Sequence, residues 1–338
     1  MPVPTPKEFH QILSTAKEKH YALPAINVTS LESANAAISG FLSERSDGIV
    51  QLSLGAGKHA SGPAEDNVLG AVSIAEHVHR VALKLPIYVA LHTDHCQFEH
   101  ISFIKSLIAI SKERVEKGFQ PLFNGHMFDG SALPLAKNLE IAKEILNECG
   151  SIGLIPEFEA GVVGGEEEGA HSATTHDELY TTPEDMVQVA QTLGNEFPYM
   201  FAATFGNVHG IYKPGNVKLK PEILKNGQKA IAAKLGDKRE LFLVFHGGSG
   251  TPVADVRETL NYGVIKMNVD TAAQYAFTRE IAHHMFSNYA GVLMVDGELG
   301  DKKAYDPRSY LKKGISGMAK RVAIACQDLR SSGESLCQ

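Results

Sequence analysis

The stretch Ile87–His95, IYVALHTDH, joins a short strand-forming run, Ile87–Leu91, to four polar residues, His92, Thr93, Asp94 and His95. Such a run, bounded by sequence of helical period, predicts a strand of a parallel sheet whose faces are both covered. The same unit recurs along the chain. Further strands are expected at Leu23–Val28, Gly48–Ser53, Pro121–Gly125, Ile155–Glu159, Met200–Phe205, Leu241–Phe245 and Val264–Val269, with helical segments between them. Val72–Leu83 and Leu135–Asn147 carry the clearest apolar stripes at i, i+3, i+4. Thr182-Pro183-Glu184-Asp185 reads as an N-cap, a proline at the first helical position and acids in the first turn. Eight strand–helix units predict an α/β fold of the closed (β/α)8 TIM-barrel type rather than an open sheet. With no repeat and no linker, residues 1–338 read as a single domain, and residues 330–338 as a loose tail.

Composition narrows the function classes. A chain of 338 residues, 43% hydrophobic, buries a large core without staples. Its four cysteines, Cys96, Cys149, Cys326 and Cys337, show no CxxC pairing and suit a reducing compartment. The net charge of −7 argues against a nucleic-acid binder, although local sites can still take anions. The N-terminus lacks an apolar signal core, and no stretch approaches the roughly 20 apolar residues that span a bilayer. The expectation is a soluble, cytoplasmic protein with no membrane and no nucleic-acid partner.

In such barrels, active sites form at the C-terminal ends of the strands. Those ends read Asn27, Ser53, His92–His95, Asp129, Glu159, Asn207-Val208-His209, His246–Ser249 and Asn268-Val269-Asp270. Three of them supply histidines, and neutral imidazole suits a catalytic zinc ion with three protein ligands and one open position. His77, His79, His283 and His284 lie in helical sequence and read as structural or exposed, and His126 as a weaker candidate. Strand alternation would put His92 and Asp94 on one face and His95 on the other. Asp94 and His95 therefore share a site only if the strand has already bent, which would leave Asp94 placed for acid–base work. His92 would then orient a ligand from behind.

The acidic run Gly164–Gly169 would ordinarily be a solvated charge cluster. Flanking glycines after the fifth strand favour a mobile loop that carries a carboxylate over the site. Gly55–Ala60 formally fits a dinucleotide fingerprint, but the next regular helix is expected later and no acid ends a second strand at the right distance. Gly247–Gly250 and Val269–Thr271 read as turns offering backbone N–H groups to phosphate.

At this point HTDHC (His92–Cys96), GGEEEG (Gly164–Gly169), TFGNVHGIYKPGNV (Thr204–Val217), FHGGSG (Phe245–Gly250), KMNVDT (Lys266–Thr271) and YDPRSYLKKG (Tyr305–Gly314) closely resemble the class II, metal-dependent fructose-1,6-bisphosphate aldolases. PAINVTS and FDGSALP also fit, so the resemblance runs in order from about residue 5 to residue 330. It implies a lyase of glycolysis and gluconeogenesis that reversibly cleaves fructose 1,6-bisphosphate into dihydroxyacetone phosphate and glyceraldehyde 3-phosphate. By motif match, His95, His209 and His246 correspond to zinc ligands, with Asp129 and Glu159 near a second or displaced metal position. Asp94 corresponds to the group that handles the C4 hydroxyl proton, and Glu167 to the one that exchanges a proton with C3. Asn268 matches a residue holding the dihydroxyacetone-phosphate part. Gly210, Gly247, Ser249, Asp270 and Thr271 match a first phosphate site, where a monovalent cation (Na+ or K+) binds. Ser53 and Arg308 match a second phosphate site, with Arg308 reaching in from a neighbouring subunit of a homodimer or homotetramer. Asn27, at the first strand end, is a further substrate-binding candidate. Two departures stand out: Leu54-Gly55-Ala56 where relatives often read asparagine-glycine-glycine after the serine, and Ala272 where many carry another aspartate.

Other readings remain open on sequence: a tagatose-bisphosphate aldolase, a zinc hydrolase on the same barrel, and a non-catalytic binding protein on the same scaffold. A lysine Schiff-base mechanism is the other aldolase strategy. Lys213 and Lys266 sit in the site motifs, but each reads more simply as a structural or phosphate-side charge.

Overall fold

The computed structural model describes residues 2–161, 164–167, 170–171, 180–209, 219–236, 240–293 and 300–337; of residues 164–167, 170, 171, 208 and 209 it describes the backbone. Its strands are β1 (Leu23–Asn27), β2 (Gly48–Leu52), β3 (Val89–Thr93), β4 (Met127–Asp129), β5 (Glu157–Ala160), β6 (Gly164–Glu167), β7 (Ala170–His171), β8 (Met200–Ala203), β9 (Val208–His209), β10 (Phe242–Phe245) and β11 (Val264–Val269). Eight form one sheet in the order β3-β2-β1-β11-β10-β8-β5-β4, and every neighbouring pair is parallel. Bridges His92↔Gly125 and Gln97↔Asp129 join the two ends, with Asn124 N donating to Leu91 O at 2.8 Å and Asp129 N to Cys96 O at 2.9 Å. The sheet thus closes into the expected barrel, with helices between strands.

Two strand positions differ from the periodicity. The third strand starts at Val89 rather than Ile87, because the Tyr88 N–H is taken by the Asp47 carboxylate at 2.7 Å instead of a ladder partner. The fourth is regular over Met127–Asp129, not Pro121–Gly125. At 121–125 the Asn124 side chain replaces ladder bonds, accepting from Leu91 N at 2.9 Å and donating to Pro4 O at 2.8 Å. The helix Asn67–Ala82 holds the first predicted stripe up to its C-cap Leu83, Leu135–Gly150 contains the second, and Thr182 caps Pro183–Leu193 in a capping box with Asp185.

The motif at Gly55–Ala60 is itself helical (Leu54–Ala60), contrary to the expected later start, because the Ser53 hydroxyl caps it by accepting from Ala56 N at 3.1 Å. Its second glycine, Gly57, serves packing. A Cβ on Gly57 would meet Asn67 O at 2.3 Å, and one on Gly70 would meet Gly57 O at 1.8 Å, so two helices touch backbone to backbone.

The core has two layers. One lies between strands and outer helices; the other fills the lower barrel with Leu23, Ala25, Ile49, Ala90, Met200 and Val244, floored by Phe9, Ile12, Leu13 and Ala16 of the helix Pro6–Lys19. A register shift against β10 leaves Ile265 without a partner residue, the signature of a β-bulge. Ile265 joins the lower barrel cluster while Val264, Met267 and Val269 pack outward, and Lys266 and Asn268 reach groups inside the barrel.

The segment expected to be a loose tail is held over residues 331–336. Ser331 Oγ lies 2.8 Å from Ser46 Oγ, Gly333 N donates to Glu44 O at 2.8 Å, and Leu336 N donates to Asp47 Oδ2 at 2.9 Å. Asp47 is buried, and Leu336 N is one of the donors that keep its carboxylate satisfied.

Candidate metal centre and active-site cleft

Because β3 ends at Thr93, Asp94 and His95 lie just beyond the strand and both turn to one site, with His95 Nε2 4.0 Å from Asp94 Oδ1. His246 follows β10 directly. Its Nδ1 stands 2.9 Å from His95 Nε2, the rings meeting edge to face at 78°. What each imidazole does with its far nitrogen decides the meaning of this contact. His95 Nδ1 lies 3.0 Å from Asp129 Oδ2 and 3.5 Å from Glu159 Oε2. His246 Nε2 lies 2.6 Å from Glu157 Oε1. An ionised carboxylate only accepts, so each imidazole carries its proton on the far nitrogen and presents a lone pair on the near one. Burial also holds His246 below its ordinary pKa against the pull of Glu157, and so favours the neutral ring. Two lone pairs this close repel unless a cation lies between them, so the donor set fits a divalent metal.

Among the described residues, two carboxylate-containing clusters surround this point: Asp94 with His95 and His246, and His95 with Asp129 and Glu159, the ligand atoms of each lying within 4.8 Å of one another. Asp94 is held by amides. Asn27 Nδ2 donates to its Oδ2 at 2.6 Å, and Asn268 Nδ2 donates to its Oδ1 at 3.1 Å. Burial works against ionisation of Asp94, but positive charge at the His95–His246 position, whether from protons or from a bound cation, together with Lys266 and the bond from Asn27, holds the carboxyl below its ordinary pKa. The Asp129 carboxyl is also lowered, because the hydrogen bond from His95 and those from Ser131 overcome its burial.

His209 is the second residue of β9, and its side chain lies outside the described residues, as does that of Glu167; Gly210 and Lys213 lie wholly outside them. The strands that carry Glu167 and His209 are nevertheless brought together. Residues 164–167, read above as a loop, form the strand β6, which pairs in parallel with β9 (Gly164↔Val208, Gly165↔His209). β6 also pairs antiparallel with β7 (Glu167↔Ala170), so the glutamate run joins a small sheet beside the His209 strand.

A cleft of about 510 Å³ opens beside Asp94 and His95, lined among others by Asn27, Ser53, His59, Asp270 and Gln274. Asp270 precedes the helix Thr271–Ser287, which begins at Thr271, and Gln274 Nε2 donates to its Oδ1 at 2.5 Å. The turn Gly247–Gly250 has positive φ at Gly247 (66°) and Gly250 (85°), which glycine adopts without strain, and Ser249 within it is buried. Arg308 is not among the described cleft residues of its own chain: its guanidinium is exposed and pairs with Asp306 at 2.6 Å.

Lys266 is fully buried, 2.8 Å from Glu157 Oε2 and 2.7 Å from Asn268 Oδ1, an environment that fits the structural charge. His92 and His126 are buried as well, with Nδ1 of His92 2.7 Å from Thr93 O and Nδ1 of His126 3.3 Å from Thr93 Oγ1. Neither ring touches the paired imidazoles through a hydrogen bond among those described. His77, His79 and His284 bind Asn35, Leu122 and Ala304, as structural residues do.

Sequence reading missed Glu157 and Gln51. Glu157 sits two residues before Glu159 on one strand, so alternation alone would have placed both on the same face. Gln51 shares β2 with the strand end at Ser53 and donates to Asn27 Oδ1 at 2.5 Å.

Comparison with known proteins gives this geometry its context. Residues 7–334 match the family model "Fructose-bisphosphate aldolase class-II". The chain is 53% identical over 343 residues to the fructose-bisphosphate aldolase of Mycobacterium tuberculosis (strain ATCC 25618 / H37Rv), covering 99% of each chain. It is 52% identical to that of Corynebacterium glutamicum, again over 99% of each. Among solved structures, the fructose-bisphosphate aldolase of Campylobacter jejuni superposes with a TM-score of 0.86 at 37% identity, covering 98% of this chain and 97% of that one. A family that implies a divalent metal and a site whose facing imidazoles need one agree, and the chain belongs to the class II fructose-bisphosphate aldolases.

Proposed function

We infer that the chain is a lyase that reversibly cleaves fructose 1,6-bisphosphate into dihydroxyacetone phosphate and glyceraldehyde 3-phosphate, in glycolysis and gluconeogenesis, with zinc as its divalent ion. The observation that carries the site reading is the pair of ring nitrogens 2.9 Å apart, each with its far nitrogen on a carboxylate, beside an Asp94 oriented by two amides. His95, His209 and His246 hold the ion, since three imidazoles with one open position suit catalytic zinc. Asp129 and Glu159, both near His95 Nδ1, offer a second or displaced position. When bound, the ion supplies Lewis-acid stabilisation of the negative charge that develops on the ketose oxygen as the C3–C4 bond breaks.

The protein's own groups carry the protons. In cleavage Asp94, held ionised by its surroundings, takes the proton of the C4 hydroxyl. Glu167, on the strand beside β9, returns a proton to C3, and condensation reverses both transfers. Asn27 and Asn268 fix the Asp94 carboxylate and leave the cleft side to the sugar. Gly210, Gly247, Ser249, Asp270 and Thr271 take the first phosphate beside a bound Na+ or K+, and Ser53 takes the second.

The second phosphate also draws Arg308 from a neighbouring subunit of a homodimer or homotetramer. The helix Thr271–Ser287 supports this assembly: among its residues only Ala273 is buried, and Phe286 within it and Tyr289 just beyond it are 81% and 62% exposed. Residues 1–338 act as one domain, since the family match spans 7–334 and the eight-stranded sheet uses strands from 23 to 269. No described helix is long and apolar enough to cross a membrane, and we place the protein in the cytoplasm.

The test is a steady-state comparison of fructose 1,6-bisphosphate cleavage with phosphate release from the same substrate. Cleavage that disappears on chelation and returns with zinc supports the reading; phosphate release without cleavage would reject it.

A further inference from the structure

Beneath the paired imidazoles lies a buried ion pair whose part in the proton-transfer scheme so far is only the field that Lys266 places on Asp94. Glu157 and Lys266 are both wholly inaccessible to solvent. Glu157 uses one oxygen on each neighbour: Oε1 accepts from His246 Nε2 at 2.6 Å and Oε2 from Lys266 Nζ at 2.8 Å. Lys266 then divides its donors between Glu157 and Asn268 Oδ1, the latter at 2.7 Å. With the Asn268 oxygen held by an ammonium group, only its NH2 can face the other way. That NH2 lies 3.1 Å from Asp94 Oδ1 and 3.2 Å from His246 Nδ1. A flipped amide would turn its oxygen toward a carboxylate and an imidazole lone pair, both acceptors.

We propose that the Glu157–Lys266 pair is a positioning device with two arms: Glu157 sets the metal affinity through His246, and Lys266 sets turnover through the amide orientation of Asn268. The proposal rests on the reading of His246 as a metal ligand. A charged pair in this place costs desolvation that an apolar pair would avoid, so packing alone does not account for it. The bulge at Ile265 has the same consequence, since it allows both Lys266 and Asn268 to reach the barrel interior. The two arms predict separable losses. Outer partners of metal-bound histidines are typically worth about 10–100-fold in metal affinity. A single donor oriented toward developing charge is worth roughly 100-fold in kcat.

The experiment uses the charge-neutral variant Glu157→Gln/Lys266→Met, which avoids stranding one buried charge, together with Asn268→Ala and the triple combination. Folding is checked by circular dichroism and melting temperature. Zinc affinity is read by competition with a chromophoric chelator, and kcat and KM at saturating zinc. The neutral pair variant is expected to bind zinc about 10–100-fold more weakly. Asn268→Ala is expected to keep its affinity within about threefold while losing roughly 100-fold in kcat with KM little changed. In the triple variant the pair substitution should reduce kcat by less than about threefold beyond Asn268→Ala, because Lys266 acts mainly through a residue already gone and its field on Asp94 is the smaller route. Fully additive kcat losses, or unchanged zinc affinity in a well-folded pair variant, would overturn the proposal. His246→Ala separates the two levels: loss of zinc keeps the underlying reading, whereas undiminished zinc binding would remove that reading and the inference with it.

Discussion

His95 Nε2 and His246 Nδ1 face each other across 2.9 Å, and each ring's other nitrogen is bound to a carboxylate, Asp129 or Glu157. The site is therefore built for a cation before one arrives: the carboxylates fix the protons, and the barrel fixes the rings. Asp94 stands beside it with both oxygens occupied by amide donors, which keeps it ionised and aimed.

Substituting Asp94 tests the division of labour. Asp94→Ala should retain zinc and the fold while losing about 10²–10⁴ in turnover, the usual worth of a positioned acid–base group. Zinc content and circular dichroism check the first part, and steady-state cleavage the second. Near-normal turnover in a metal-loaded, folded variant would remove Asp94 from proton transfer.

The buried histidines make a prediction about acid stability. Burial pushes His92 down to about 4 and His126 to about 3, so both are neutral in the native barrel. In the unfolded chain each titrates near the ordinary value of about 6.5, so that between these values only the unfolded state gains the proton. Their contribution is complete above about pH 6.5 and is lost as pH falls toward the native values. Each histidine adds a slope of about 1.4 kcal/mol per pH unit in that window. His126→Asn should flatten the slope by about that amount between roughly pH 4 and 6, measured by denaturant unfolding of metal-free protein. An unchanged slope would show that His126 is protonated in the fold.

The ion pair beneath His246 should be costly to break on one side. Lys266→Met alone strands the Glu157 carboxylate and is expected to destabilise the protein by about 3–5 kcal/mol, whereas the neutral double variant should recover most of that loss. Denaturant midpoints of the three proteins check this. Equal destabilisation of single and double variants would mean that lost packing, not lost pairing, sets the cost.

Assembly can be tested by complementation. If Arg308 serves a neighbouring subunit's second phosphate site, Arg308→Ala and Asp94→Ala chains should each be weak alone and regain activity when refolded together. A mixed dimer holds one site with an intact Asp94 and an Arg308 from its partner. No recovery in a mixture shown by light scattering to form dimers would place Arg308 in its own subunit's site or outside any site.

How far the chain could be read in advance differs between levels. The barrel was legible because each strand is a short apolar run ending in polar residues, a pattern set by local chemistry. Positions slipped where side chains replaced backbone partners, as at Asn124 and at Tyr88 beside Asp47. Alternation alone would have put Asp94 and His95 on opposite faces; the motif match put both at one site, and the end of the strand at Thr93 gives the physical reason. Glu157 and Lys266 stayed hidden for the opposite reason. A buried charge looks like an error in a strand until its partner, 109 residues away, is in view, and the bulge beside Lys266 leaves no periodic mark. The tail after Leu329 looked polar enough to be loose, and only its contacts with Ser46, Glu44 and Asp47 show otherwise.

The measurement that bears most directly on the central claim is fructose 1,6-bisphosphate cleavage by chelator-stripped enzyme, before and after zinc is restored, with tagatose 1,6-bisphosphate as the competing substrate and borohydride as a trap. The account predicts no cleavage without metal, recovery with zinc, preference for the fructose substrate, and no covalent trapping. Cleavage that survives complete metal removal and yields a borohydride-trapped lysine would contradict it.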